Sequence, residues 1–150
     1  MIIVSLTDPH DPQATALLKQ SHALMESLFP PEDNYYLDID ALTADHIRFF
    51  TARVGEDILG TGALAIKTGY GELKSMFVDK AARGTGIADA LMRQLEDAAR
   101  AEGLSMLKLE TGNVLYAAHK LYARHGFTPC GVFGDYADAK SSIFMEKPLT

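Results

Sequence analysis

The sequence predicts an α/β (α+β) fold in which a mixed central sheet of six to seven strands is flanked by helices. Two observations predict it. Three strand-like runs, IRFFTARV, DILGTGALAIK and GELKSMFV, follow one another through hairpin-sized links, Gly55-Glu56-Asp57 and TGYG, and so form an antiparallel meander. Before and after the meander, strand and helix patterns alternate, so the sheet is not doubly wound and wholly parallel. The order is β-α-α-β-β-β-α-β-α-β-β. One domain, 1-150, is expected, because a chain of 150 residues that is 47% hydrophobic buries one sizeable core and is too short for two ordinary domains.

Each element has a local reason. MIIVSL reads as a first strand rather than a signal peptide, since it lacks a basic leader and breaks at Asp8-Pro9. In DPQATALLKQSHALMESLF, Asp11 caps a helix, Pro12 occupies the first helical position, and apolar residues recur at every third or fourth place until Pro30-Pro31 stop it. The segment PPEDNYYLDIDALTADH is polar and aromatic, with a short helical piece around Ile39 to Ala44. After the meander, Ile87, Leu91, Leu95 and Ala98 form one stripe and Asp89, Arg93, Glu96 and Arg100 the other side of a helix from Thr85 to Glu102, ended by Gly103. LSMLKLET then reads as a strand, VLYAAHKLYARHG as a helix ended by Gly126, and FTPCGVF and SSIFMEKPL as closing strands.

Composition narrows the function. The formal charge is −6, from 20 acidic and 14 basic residues spread along the chain, which argues against nucleic acid or an anionic membrane; it suits a cationic or amine substrate, and equally a surface whose acidity only serves solubility. Cys130 stands alone, so no internal disulfide forms and a reducing, cytoplasmic setting is expected. No stretch approaches the ~18 apolar residues of a membrane helix. The histidines, His10, His22, His46, His119 and His125, show no metal-ligand spacing, His119 and His125 falling on different faces of one helix, and no metal is expected.

The segment KAARGTGIADALM places Arg83, Gly84 and Gly86 between a strand ending at Val78 and a helix starting near Thr85. The first turn of a helix has unpaired N–H groups and a partial positive charge, glycines let the backbone approach an anion closely, and an arginine adds a full charge. This is an anion site of phosphate type. A P-loop needs a lysine after its last glycine, and none follows Gly86. A dinucleotide fingerprint needs a small residue where Asp89 stands.

Arg83-Gly84-Thr85-Gly86-Ile87-Ala88 resembles the R/Q-x-x-G-x-G/A signature of the GNAT family of N-acetyltransferases, whose members transfer an acetyl group from acetyl-CoA to an amine. The resemblance extends through GELKSMFV, LSMLKLET and AAHKLYARHGF, over most of Leu59 to Phe133, and FGDYADAKSSIFMEK is similar to a bacterial subgroup whose acceptors are mostly undefined. It implies that Arg83, Gly84, Thr85, Gly86, Ile87 and Ala88 cradle the coenzyme pyrophosphate. It also implies that Met76, Phe77 and Val78 hold the pantetheine and polarise the thioester carbonyl, that Tyr122 serves the leaving thiolate, and that Glu72 sits where several members keep a general base. The family asparagine seven residues before the tyrosine is here Leu115; Asn113 either substitutes or caps the following helix. Family members often pair as dimers.

Direct transfer in a ternary complex needs a neutral amine. Deprotonating an alkylamine at pH 7 costs roughly 4–5 kcal/mol, so a base, or a water chain ending in one, is required. Glu72 and Glu110, on adjacent strands, are the carboxylates placed for it. The acceptor is expected among the irregular segment and the late loop, with Glu32, Asn34, Tyr36, Glu110 and Tyr136 as its contacts, and with Arg48 or Arg53 capturing a carboxylate if the acceptor is an amino acid. A small-molecule amine is the leading acceptor. The alternatives are a protein lysine or N-terminus, and a non-catalytic acyl-CoA sensor.

Overall fold

The computed structural model describes residues 1–149. Its strands are β1 (Ile2–Leu6), β2 (Ile47–Val54), β3 (Asp57–Ile66), β4 (Gly71–Val78), β5 (Met106–Gly112), β6 (Thr128–Pro129) and β7 (Ser142–Pro148), and its helices are α1 (Pro12–Leu28), α2 (Ile87–Ala101) and α3 (Tyr116–Arg124). Single 3-10 turns cover Pro31–Asp33, Ala41–Thr43 and Lys80–Ala82. The seven strands form one sheet in the order β1-β2-β3-β4-β5-β7-β6, antiparallel at every pairing except β4 with β5.

Alternation along the strands builds two cores. On β3, Ala63 and Ala65 face α1 and pack with Ala14, Leu18, Leu42, Ile47 and Phe49. Leu64, between them, faces the other way into a larger cluster with Leu91, Leu95, Leu107, Leu109 and Tyr122. The stripe read from the sequence of α2 is this second contact: Ile87, Leu91 and Leu95 are at most 1% exposed. Each such leucine contributes about 1.5–3 kcal/mol by leaving water. α1 begins as its sequence requires, with the Asp11 carboxylate accepting from the Gln13 and Ala14 amides and Pro12 at the first position.

Three boundaries differ from expectation. FTPCGVF pairs only over Thr128–Pro129, at the sheet edge, because Pro129 offers no N–H and the chain leaves the sheet after the Cys130 amide donates to Phe144 O. α2 starts at Ile87 rather than Thr85, since Gly86 adopts the left-handed conformation (φ 91°) that ends the loop. α3 starts at Tyr116, and its N-cap position is Leu115, with no side-chain cap. Asn113 therefore does not cap α3; its side chain donates to the Lys140 carbonyl.

One irregularity positions the site. β4 and β5 pair only at Gly71↔Leu107 and Glu72↔Lys108, and then diverge. The register of β4 against β3 slips by one residue between Thr61 and Ala63, and Ser75 within this stretch takes a positive φ of 57°. Such a bulge bends a strand and increases its twist. Beyond Glu72 the edge of β4 that faces β5 has no strand partner, which leaves a cleft through the sheet with free backbone groups along one wall.

Candidate active site

The cleft has a volume of about 140 Å³ and lies between β4, β5, α3 and the segment after α1. Leu73, Lys74, Ser75 and Met76 form one wall and Glu110, Thr111 and Gly112 the other. Tyr122 reaches it from α3, Met25 and Phe29 from α1, and Asn34, Tyr35 and Ser141 close the remaining side. Gly112 is required for this closure: a Cβ there would lie 2.3 Å from the Phe29 ring, so only glycine lets the aromatic pack on β5.

Tyr122 is 7% exposed, and its ring packs edge-on against Phe127, 5.9 Å between centroids. Burial, with the charge of Glu110 in addition, holds its phenol well above the ordinary value, so the hydroxyl stays protonated and acts as a donor. Glu110 faces the same cleft. Burial raises its carboxyl above the ordinary range, against the opposing hydrogen bond from Ser142 Oγ to Oε2 (2.7 Å) and the charge of Lys74.

Glu72 is placed differently from the expectation of a base facing the acceptor. It is 4% exposed and does not line the cleft. Its Oε2 accepts from the Tyr136 hydroxyl and stands 3.4 Å from Lys74 Nζ. Lys74 in turn donates to Tyr136 Oη (2.7 Å) and to the Tyr35 carbonyl (3.0 Å). The four residues form a closed cluster tying β4 to the segment after α1 and to the late loop. Tyr136 is thus a half-buried anchor beside the cleft rather than one of its linings, and desolvation followed by the bond to Glu72 raises its phenol far above the usual value. Strand alternation shows that Glu72, Lys74 and Glu110 share a face; it does not show which neighbours take the lone pairs. Lys74, two residues after Glu72, was the available signal for this cluster. Ser141 had none.

The other acceptor expectations divide. Asn34 lines the cleft; Tyr36 lies at its rim, stacked on His22 with ring centroids 4.0 Å apart and donating to Glu26. Glu32 is exposed and outside it. Arg48 pairs with Glu102 at 3.0 Å and Arg53 donates to the Gly55 carbonyl, so neither reaches the cleft.

At the far side of the sheet from α1, the Arg83–Gly86 loop has the form an anion needs. Arg83, Gly84 and Thr85 are exposed, a Cβ at Gly84 would meet nothing within 4 Å, and no side chain caps the first turn of α2. The amides of that turn therefore remain open to a ligand. Ile87 contributes only its backbone, because its side chain is in the core against Gly60. Asp89, one turn in, accepts from His125 Nε2 at 2.6 Å and pairs with Arg124 at 2.8 Å, and its carboxyl is held below the usual range by those bonds, first that of His125.

A family model described as Acetyltransferase (GNAT) family matches residues 14–127. The chain belongs to the GNAT acetyltransferase family. A relative from Azospirillum brasilense named IAA acetyltransferase is 41% identical over 150 residues, covering 99% of this chain and 98% of its own. A Bacillus subtilis protein named uncharacterized N-acetyltransferase YsnE is 32% identical, covering 97% and 99%. Among solved structures, an acyl-CoA N-acyltransferase from Klebsiella pneumoniae superposes with a TM-score of 0.84 at 30% identity, covering 100% of this chain and 99% of that one. As a GNAT protein this chain is an N-acetyltransferase, and acetyl-CoA is the donor general to its family. Among the described residues no helix is long and apolar enough to cross a membrane.

Proposed function

We propose that this GNAT protein moves an acetyl group from acetyl-CoA to a primary amine of a small molecule, by direct transfer while both substrates are bound. The carrying observation is the cleft where β4 and β5 part, into which the Tyr122 phenol and the Glu110 carboxylate face from opposite sides of the sheet. Arg83, the Gly84–Gly86 backbone and the first-turn amides of Ile87 and Ala88 fit a pyrophosphate on the α2 side, and the unpartnered edge of β4 around Met76, Phe77 and Val78 fits the pantetheine arm. Asn113, whose Nδ2 donates to the Lys140 carbonyl, keeps its Oδ1 for that arm.

The proton balance assigns roles. Glu110 accepts a proton from the bound ammonium and returns it to solvent; the neutral nitrogen then attacks the thioester carbon, its C–N bond forming as the C–S bond breaks. The free N–H groups of β4 stabilise the carbonyl oxygen as charge develops on it. Tyr122 donates a hydrogen bond to the departing sulfur. With its phenol raised so far, it does not ionise ahead of the sulfur: the proton moves only as the C–S bond breaks, and the proton shed by the new amide nitrogen restores the phenol. Raised basicity makes Glu110 a better proton acceptor than an exposed carboxylate, and Glu72, consumed by Tyr136 and Lys74, holds the neighbouring loops in place.

Thiol release from acetyl-CoA across amines and short peptides tests the reading, with Cys130 blocked. Turnover with a small amine supports it; turnover confined to peptides would replace it with protein acetylation, and acetyl-CoA binding without turnover would leave a sensor. Tyr122→Phe should lower kcat about 10–100-fold, the worth of one hydrogen bond to a charged group, with acetyl-CoA affinity unchanged.

A further inference from the structure

We propose that Asn34 Oδ1 and Ser141 Oγ, together with Glu110, form the seat of the acceptor's ammonium group, and that the acceptor is a compact cationic amine without a carboxylate. This rests on the acetyl-transfer reading above and adds the acceptor's chemistry to it.

Asn34 Oδ1 and Ser141 Oγ are buried polar atoms with no hydrogen-bond partner among the described residues, and both residues line the cleft. Buried polar atoms are almost always paired, so two orphans in one cleft mark a place where a ligand supplies the partner. The orientation of the Asn34 amide is determined: its Nδ2 donates to the Phe29 and Pro30 carbonyls, both at 3.3 Å, so the oxygen is the end left free. Asn34, Glu110 and Ser141 line one cleft, and contacts of their neighbours tie the segments that carry them. Phe29 packs on Gly112, the next residue Asn113 takes the Ser141 carbonyl through its amide at 2.8 Å, and Ser142 donates to Glu110 Oε2, which leaves Oε1 of that carboxylate unengaged.

An ammonium group has three N–H donors and no acceptor. The seat offers an amide oxygen, a hydroxyl oxygen and a carboxylate oxygen, which matches it in number and polarity. A carboxylate on the same ligand finds no counterpart. Lys74 is the only cation lining the cleft among the described residues, and its ammonium is engaged by Tyr35, Tyr136 and Glu72. Asp33 and Glu110 would repel an anion. Asn34 follows α1, whereas the glycine loop lies on the α2 side, so the seat is separate from the pyrophosphate cradle.

The test compares matched pairs, histamine with histidine and ethanolamine with serine, by calorimetric binding to the coenzyme A-loaded protein and by thiol release. The expected result is that the decarboxylated member of a pair binds at least 10-fold tighter, and that Ser141→Ala and Asn34→Ala each weaken it 5-fold or more with acetyl-CoA affinity unchanged. Ser141→Ala removes one oxygen and keeps the fold, so it decides the matter if Asn34→Ala loosens the Phe29 turn. Equal or tighter binding of the amino acids, no binding of any probe, wild-type affinity in Ser141→Ala, or a loss that appears in acetyl-CoA affinity instead would each overturn the seat. Binding with the expected pattern but no thiol release would uphold the seat and overturn the transferase reading, so the two fail separately.

Discussion

At the scale of single residues, Glu110 carries two opposed demands. A carboxylate buried enough to become a useful base is also one the fold would prefer to protonate. Its folded value is raised, so the stability it contributes is complete below the ordinary carboxylate range and is lost as pH rises through that range to the raised value. Glu110→Gln should therefore raise the Tm at about pH 8 and leave it little changed at about pH 4, where the wild-type group is already protonated. The same variant should lower kcat/KM about 10²–10⁴-fold and abolish the acidic limb of the wild-type pH profile, which lies above the ordinary carboxylate range. Equal melting temperatures at both pH values would refute the burial argument; a retained acidic limb would refute the base. Tyr122 was singled out by the family segment it resembles, AAHKLYARHGF, and not by its spacing, which alone reads only as an aromatic on a buried helix face. Which of the two carboxylates the fold ties up was not legible in the sequence, because that depends on Tyr136 and Lys74 meeting Glu72.

Among elements, the loop into α2 shows what local sequence conveys well. Gly86 precedes the helix with φ 91°, and the only atom a Cβ there would meet within 4 Å is Ile2 Cδ1 at 3.7 Å, so the demand at this position is conformational, not steric. Gly86→Ala should cost about 1–2 kcal/mol of stability by forcing a left-handed alanine, and should weaken acetyl-CoA about 10-fold by turning the first amides of α2 aside. Arg83→Ala should produce a similar loss of affinity with no loss of stability, because Arg83 is exposed. Thermal melts paired with calorimetric titration of acetyl-CoA separate the two; unchanged affinity in both would end the pyrophosphate assignment. The meander and the helices were legible for the same reason, that period and punctuation act within a few residues. β6 was not, since a run rich in strand formers around Pro129 and Gly131 pairs only as far as the sheet edge allows.

Over the whole molecule, the side of the cleft proposed for the acceptor is held by contacts distant in sequence. Lys74 on β4 bonds the carbonyl of Tyr35, from the segment after α1, and the hydroxyl of Tyr136, from the late loop, while Glu72 balances its charge. The lysine side chain is 13% exposed and the glutamate 6%, so this is a buried ion pair, where removing one partner leaves an uncompensated charge. Such geometry is invisible in a single sequence, which records that Asn34, Lys74, Tyr136 and Ser141 exist and not that the fold gathers them. Lys74→Met should cost about 3–5 kcal/mol in urea unfolding, against about 0.2–1 kcal/mol for breaking the more exposed Arg48–Glu102 pair by Arg48→Met. Adding Glu72→Gln to Lys74→Met should recover part of the loss by removing the stranded carboxylate, a non-additivity expected only if the two groups act as one unit. An additive double mutant, or a Lys74→Met cost as small as that of the Arg48 variant, would show that the acceptor-side segments are held by their aromatic packing, Tyr35 against Tyr136 and Tyr136 against Phe144, and not by the buried charges.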